Sequence, residues 1–456
     1  MPAILQELLA ARKATRARIG YKTIVTSDGQ TLSGLLKECE DHYEITDVTL
    51  SDGKLNRSTT TVPKALVISV EPTYNSFMRN VFDKRQLGYK ITANSLYGQC
   101  GAITSSFYEK DIAASTTATG RKLLIYAKTL IERVYKDKVC ETKHGQVTAT
   151  SDIVYGDTDS CFFTFALTDG DGERVVGKKA LEITIELAIE AGKLATKFLK
   201  APHDLEYEKT FLPFLLLSKK RYVGLLYERD PAKCERKSMG IVLKRRDNAP
   251  IVKDIYGGII DILMSGEGVG AAVAFTQQFL RDIVDEKFPL EKLIISKSLR
   301  GFYKNPGGIA HKVLADRIAK RDPGNKPSIG SRIPFVFVQT KRKVRLQGDK
   351  IETPEFIRAN ELKPDYIHYI TNQIMKPVQQ VFALVLEEIP SFKRKRRSFK
   401  VKLQYLQQEH GKDVEVLDAK ESKLRNAEVT KLIFESALRK AKNIKDGQKT
   451  INSFFT

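Results

Sequence analysis

The sequence predicts an α+β fold of more than one domain, and three observations carry that expectation. Helical apolar spacing opens the chain and returns after short strand-like segments. Residues 21–72 are rich in turn residues and β-branched side chains. A hairpin pattern follows near residues 150–166. With 456 residues the chain exceeds one simple core, so two to four domains are expected.

Taken in order, residues 3–18 set Ile4, Leu5, Leu8 and Leu9 on one side of a helix, with Arg12, Lys13, Arg16 and Arg18 following. Then "VTSDGQ", "TLSDGKLNRSTTTVPK" and "KALVISVEP" read as turns and short strands. Helical spacing returns over 73–97. The hairpin near 150–166 is followed by a helix over about 178–199. "FLPFLLLSKKRYVGLLYERD", 211–230, reads as two buried strands with a basic patch between them. After about residue 250 helical patterns dominate, interrupted by "RDPGNKPSIGSRIPFVFV", where Pro and Gly forbid a helix and the last apolar run reads as a strand. "GEGVG" at 266–270 echoes a nucleotide-binding glycine loop but follows no strand, so it reads as a helix break. No internal repeat is found.

The net charge of +21 favours a polyanionic partner, with nucleic acid foremost. Residues 391–456 hold 17 basic against 8 acidic side chains, so this stretch explains only part of the excess. "SFKRKRRSFK", 391–400, is the one dense basic run; Lys393–Arg397 suits a nuclear-import signal, a phosphate contact or a solvated face. Cys39, Cys100, Cys140, Cys161 and Cys234 include no CxxC pair and are accompanied by six histidines, so no zinc or iron–sulfur site is expected. Their spacing suits a reducing compartment. No run of eighteen apolar residues appears, and the N-terminus lacks a secretory pattern, so neither a membrane partner nor secretion is expected.

The chemistry concentrates at "YGDTDS", 155–160. Asp157 and Asp159 stand two residues apart at a hairpin tip between apolar strands. Aspartate is common in turns for its local hydrogen bonds. Here, however, two carboxylates repel each other and are costly to desolvate, and a divalent cation offsets both costs. Oxygen-only ligands select Mg²⁺, the partner of phosphoryl and nucleotidyl transfer, where paired ions stabilise attacking and leaving oxygens. In "YKITANSLYGQCGA", 89–102, helical spacing puts Lys90, Asn94 and Tyr97 on one face. Lysine contacts a triphosphate as a point charge, tyrosine packs against a base pair, and Gly98 admits a close neighbour.

"KITANSLYG" and "YGDTDS" resemble, in order, the second and third polymerase motifs of family B DNA polymerases. "LPFLLLSKKRYVGLL" resembles the family's palm segment that holds primer–template. "MGIVLKRRDNAP" resembles its palm-to-thumb passage. "RDPGNKPSIGSRIPFVFV" and "DYIHYITNQIMKP" resemble thumb segments of the delta-type branch and its large-DNA-virus relatives. The resemblance covers roughly residues 1–20 and 73–387. It implies fingers at 1–98 with a β-rich insertion at about 21–72, palm at 99–243, thumb at 244–387 and a basic tail at 388–456. Asp159 is then the main metal ligand and Asp157 its acidic neighbour, at a site for two Mg²⁺ ions. Arg12, Lys90, Asn94 and Tyr97 face the incoming dNTP. Lys219, Lys220, Arg221 and Tyr222 grip the duplex, with Lys244, Arg245 and Arg246 as further contacts. Such phosphate contacts position DNA without reading its sequence.

The family's first motif, DxxSLYPS, supplies the other metal-binding aspartate and does not occur in this sequence. Nor is a proofreading exonuclease domain found. Three expectations stay open: the C-terminal part of a split polymerase whose N-terminal half is separate, a truncated product, or a non-catalytic subunit that binds DNA and a sliding clamp. The insertion at 21–72 points to a virus, and the cysteine-rich module of cellular members is not found. The resemblance places the protein in the host nucleus or at a viral replication site in the cytoplasm. At the end, "QKTINSFFT" places Gln448, Ile451, Phe454 and Phe455 in the pattern of sliding-clamp peptides: a short helical turn fills a pocket while Gln448 anchors the backbone.

Overall fold

The computed structural model describes residues 2–51, 53–201, 203–340, 344–411 and 413–445. Two compact units emerge: Met1–Thr129 with Thr158–Ser160, and Leu130–Asp157 with Cys161–Thr456.

In the first unit, α1 (Pro2–Ile19) is built from good helix formers and buries Ala10, Ala14 and Thr15, small side chains that let a neighbouring helix approach. It packs on α2 (Ser76–Cys100), whose N-terminus is capped by Asn75: its side chain accepts the Met78 N–H at 2.9 Å. Between them lies an antiparallel sheet of β1 (Tyr21–Thr26), β2 (Thr31–Glu38), β3 (His42–Ser51), β4 (Lys54–Pro63) and β5 (Val67–Pro72), in the order β4-β3-β2-β1-β5. Threonine and valine suit these strands, and Ile24, Ile45 and Val62 form a small core on one face. The Tyr21 hydroxyl accepts the Val48 N–H at 2.7 Å and donates to Asp47 Oδ1 at 2.8 Å, tying β1 to β3. A long helix, α3 (Lys110–Val134), follows α2. The sequence reading did not place it, because Thr116, Thr117, Thr119 and Gly120 in its first half favour helix weakly; most of its length is solvent-exposed, and Ala127 and Ile131 are buried.

In the second unit, β6 (Lys138–Thr142), β7 (Gly145–Asp157) and β8 (Ser160–Asp169) form a three-stranded sheet covered by α4 (Gly177–Lys197). Tyr135, Val147, Ala149, Leu167, Ile183 and Leu187 fill the space between. A second sheet has β10 (Arg221–Tyr227) between β9 (Thr210–Ser218) and β11 (Cys234–Met239). Helices α5 (Pro250–Ser265) and α6 (Val269–Val284) are separated by Gly266 (φ 86°) and Gly268 (φ 92°), the helix break expected at 266–270. Next come β12 (Ile295–Ser298), α7 (Ala310–Arg321), β13 (Arg332–Phe337) and β14 (Ile351–Glu352), the strands pairing as β12-β13-β14.

The chain closes with α8 (Pro354–Ala359), then α9 (Tyr366–His368), which runs through a π-helical stretch at Tyr369–Ile374 into α10 (Met375–Phe382), and finally α11 (Arg396–His410), α12 (Val414–Val429) and α13 (Glu435–Lys445). The basic segment is therefore folded across its described part. Phe392, Phe399, Val429 and Phe434 are buried in the same core as Ile255, Tyr256, Tyr369 and Phe382. Each buried phenylalanine contributes about 1.5–3 kcal/mol of transfer free energy, enough to hold helices whose other faces are strongly charged.

Candidate functional site

β7 and β8 meet in a two-residue turn, Thr158–Asp159. Thr158 adopts φ 58°, a left-handed conformation that costs a residue with a Cβ roughly 1–2 kcal/mol. Asp157, at the end of β7, is half-buried, whereas Asp159 is exposed. The β9–β10 turn arrives beside the end of β7. There the Lys220 N–H donates to the Tyr155 hydroxyl at 2.8 Å, and Lys220 Nζ reaches Asp157 Oδ1 at 2.5 Å. That hydrogen bond raises the Lys220 pKa and keeps the ammonium charged.

Beneath the turn an aromatic cluster joins the two sheets. Phe162 stacks on Phe214 with centroids 5.7 Å apart and meets Tyr222 edge-on at 5.5 Å. Tyr155 lies 5.4 Å from Phe162. These rings fix the spacing between the carboxylate hairpin and the basic turn through packing as well as through the ion pair.

A third element closes around the basic turn. Gly240, at φ 61°, follows β11 and runs so close to it that a Cβ there would sit 2.2 Å from the Lys220 carbonyl oxygen. Arg221 Nε donates to the Gly240 carbonyl at 3.3 Å, and Arg221 Nη1 donates to Gln380 Oε1 of α10 at 2.6 Å. Lys219 is exposed and Tyr222 is half-buried. The structure thus brings Asp157, Lys220, Arg221 and Tyr222 together. Further on, Lys244 ends a 3₁₀ turn, Val242–Lys244, and Arg246 is exposed. The Arg245 guanidinium makes two hydrogen bonds to Asp247, at 3.1 and 3.0 Å, which raise its pKa.

In the first unit, Lys90, Asn94 and Tyr97 lie exposed along one face of α2. Arg12 reaches the same row from α1, its Nε donating to Gln86 Oε1 at 3.3 Å, one turn before Lys90. The Tyr97 hydroxyl pairs with Thr117 Oγ1 of α3 at 2.9 Å. Gln448, Ile451, Phe454 and Phe455 lie outside the described residues.

The carboxylates of Asp157 and Asp159 are hard oxygen donors and so fit Mg²⁺. Their hairpin does not by itself gather three ligands. Among the described residues the one group of three potential ligands is Cys39, His42 and Glu44, in the first unit's sheet. The absence of CxxC spacing hid this cluster, because a hairpin brings its members together across a turn. Tyr155, Gly240, Gln86 and Gln380 were missed too. Their roles depend on which strands and helices meet, and nothing local in the sequence records that.

The chain matches the family model "DNA polymerase family B" over residues 67–385. It belongs to DNA polymerase family B. The DNA polymerase of Pyramimonas orientalis virus is 46% identical over 459 residues, covering 100% of this chain and 36% of that protein. The DNA polymerase of Acanthamoeba polyphaga mimivirus is 47% identical over 253 residues, 54% of this chain and 14% of the relative. The DNA polymerase delta catalytic subunit of Caenorhabditis elegans is 34% identical over 313 residues, 68% of this chain and 28% of the relative. The chain spans little more than a third of the length of these relatives at most. The α+β architecture of small antiparallel sheets and helices is that of the family's polymerase core. Among the described residues no helix is long and apolar enough to cross a membrane.

Proposed function

We propose that this chain is the fingers, palm and thumb part of a viral DNA-directed DNA polymerase, with the fingers, insertion, palm and thumb at the boundaries expected from sequence. The observation that carries the proposal is the carboxylate hairpin tied to the basic β9–β10 turn through Lys220, Asp157 and Tyr155. An acidic tip beside cationic groups suits a primer terminus whose phosphates need cations and whose reacting oxygens need a metal. The family match and the viral relatives support the same reading.

In the proposed reaction the primer 3′-oxygen attacks the α-phosphorus of a dNTP, and pyrophosphate leaves. Asp159, with Asp157 beside it, would hold Mg²⁺, which when bound offsets charge on the attacking and leaving oxygens. Arg12, Lys90 and Asn94 hold the triphosphate, while Tyr97 packs against the nascent base pair. Lys219 and Arg221 hold duplex phosphates; Lys244 and Arg246 extend that track. Lys220 acts as a positioning residue, its ammonium fixing the Asp157 carboxylate. Catalysis of this kind is positioning plus charge stabilisation. The carboxylate that completes the site comes from outside these 456 residues, and Gln448–Phe455 docks on a sliding clamp.

The test is primer extension with Mg²⁺ and dNTPs, using this chain alone and then together with a polymerase N-terminal region carrying DxxSLYPS. Synthesis only in the mixture is expected. Silence in both, with primer–template binding intact, would replace the proposal with a DNA-binding accessory role.

A further inference from the structure

We infer that the β2–β3 hairpin of the first unit is a binding site for a borderline divalent transition ion, Zn²⁺ above all, held by Cys39, His42 and Glu44. The inference is independent of the polymerase reading. The backbone comes first. The Cys39 N–H donates to the His42 carbonyl at 2.9 Å, closing the two-residue turn Glu40–Asp41, so Cys39 and His42 are cross-strand neighbours. Lys37 pairs with Glu44 in the strand register. Side chains two apart on one strand share a face, so Lys37, Cys39, His42 and Glu44 form a square on one side of the hairpin. The turn is held from the residue after β4 as well: the Lys64 N–H donates to the Asp41 carbonyl at 3.0 Å, and Lys64 Nζ meets Glu38 Oε1 at 2.7 Å.

The donor atoms are already grouped. One ligand atom from each of Cys39, His42 and Glu44 lies within 4.8 Å of the others, and His42 Nε2 stands 3.8 Å from Glu44 Oε1. Tetrahedral zinc with bonds of about 2.0–2.3 Å needs donor separations of about 3.4–3.7 Å. The His–Glu edge is therefore close to that spacing, and the remaining edges need to shorten by at most about 1.1–1.4 Å, a side-chain adjustment. Sulfur, imidazole nitrogen and carboxylate oxygen together select Zn²⁺ over Mg²⁺.

The surroundings suit a metal as well. Lys37 Nζ donates to Glu44 Oε2 at 2.9 Å, leaving Oε1 turned to His42. A ligating carboxylate whose other oxygen is hydrogen-bonded is oriented in this way in metal sites. His42 and Glu44 keep about a third of their side-chain surface exposed, so an ion has a route in. Water takes the fourth position.

The test uses the full chain, stripped with a chelator, given Zn²⁺ in excess Mg²⁺, desalted and assayed for zinc; Co²⁺ serves as the spectroscopic probe. One equivalent of zinc per chain is expected, together with a thiolate-to-cobalt charge-transfer absorption. Cys39→Ser should abolish that absorption, and His42→Ala should weaken zinc binding at least tenfold. The near-isosteric Glu44→Gln should weaken it about tenfold with the fold undisturbed, and Lys37→Ala by no more than that, through loss of orientation. Failure of the wild-type chain to retain zinc would overturn the inference. So would equal retention by the Cys39→Ser, His42→Ala and Glu44→Gln variants.

Discussion

Replacing Gly240 by alanine tests whether the basic turn is set by its neighbours. Alanine at φ 61° costs roughly 1–2 kcal/mol for the left-handed conformation alone. The added Cβ also lands 2.2 Å from the Lys220 carbonyl oxygen and 3.1 Å from Arg221 Cγ. The oxygen belongs to backbone, so relief requires the β9–β10 turn to move by nearly 1 Å. Overpacking of this kind costs about 1–3 kcal/mol more. A total of about 2–5 kcal/mol predicts a fall in the second unit's unfolding midpoint of about 3–7 °C. The displaced turn carries Lys220 away from Asp157 and Tyr155, so primer–template affinity and nucleotide incorporation should fall with stability. Gly266→Ala separates the two effects. It has φ 86° but nothing within 4 Å of the added carbon, so only the conformational part remains and DNA affinity should hold. Thermal unfolding and fluorescence anisotropy on labelled primer–template read both. Gly240→Ala with the stability and affinity of Gly266→Ala would refute the reasoning.

Lys219→Ala should weaken duplex binding equally across sequences and lower the slope of log affinity against log salt by about 1, read by anisotropy titrations at several salt concentrations. Tyr369→Phe removes a buried hydroxyl that donates to the Leu293 carbonyl at 2.6 Å and accepts the Phe337 N–H at 3.1 Å, so a loss of about 2 kcal/mol or more is expected in chemical denaturation. Burial pushes the Glu352 carboxyl up, but hydrogen bonds from Arg321 and Arg317 outweigh it and hold the pKa below its usual value. The stability this gives is present above the unfolded value of about 4.3 and is lost as pH falls through the folded one. Glu352→Gln should therefore flatten the acid limb of the stability profile below about pH 4, measured by denaturation at successive pH values.

The sequence made local features legible and left tertiary ones hidden. Strand and turn chemistry marked β1 through β5, because threonine and valine runs broken by Ser-Asp-Gly admit little else. The hairpin bearing Asp157 and Asp159 was legible for the same reason, and the helical spacing of Lys90, Asn94 and Tyr97 holds on α2. The length of α3 was not, since Thr116, Thr117, Thr119 and Gly120 in its first half are weak helix formers. The fold of the basic segment was masked by its lysines and arginines. Phe392 and Phe399, seven residues apart, reach the core, as do Val429 and Phe434 further along. The reach of Arg12 to Gln86 and of Lys220 to Asp157 depends on contacts 74 and 63 residues apart in the chain, which no local pattern encodes. Cys39, His42 and Glu44 looked unremarkable in a line and become a cluster once the strands pair.

The central claim is that the Thr158–Asp159 turn carries the acidic centre of nucleotide transfer. It is tested most directly by comparing Mg²⁺-dependent primer extension by wild-type and Asp159→Asn chains, each combined with the DxxSLYPS-bearing region. The account predicts a fall of about a hundredfold or more in incorporation, with primer–template affinity unchanged. Undiminished synthesis by Asp159→Asn would contradict it.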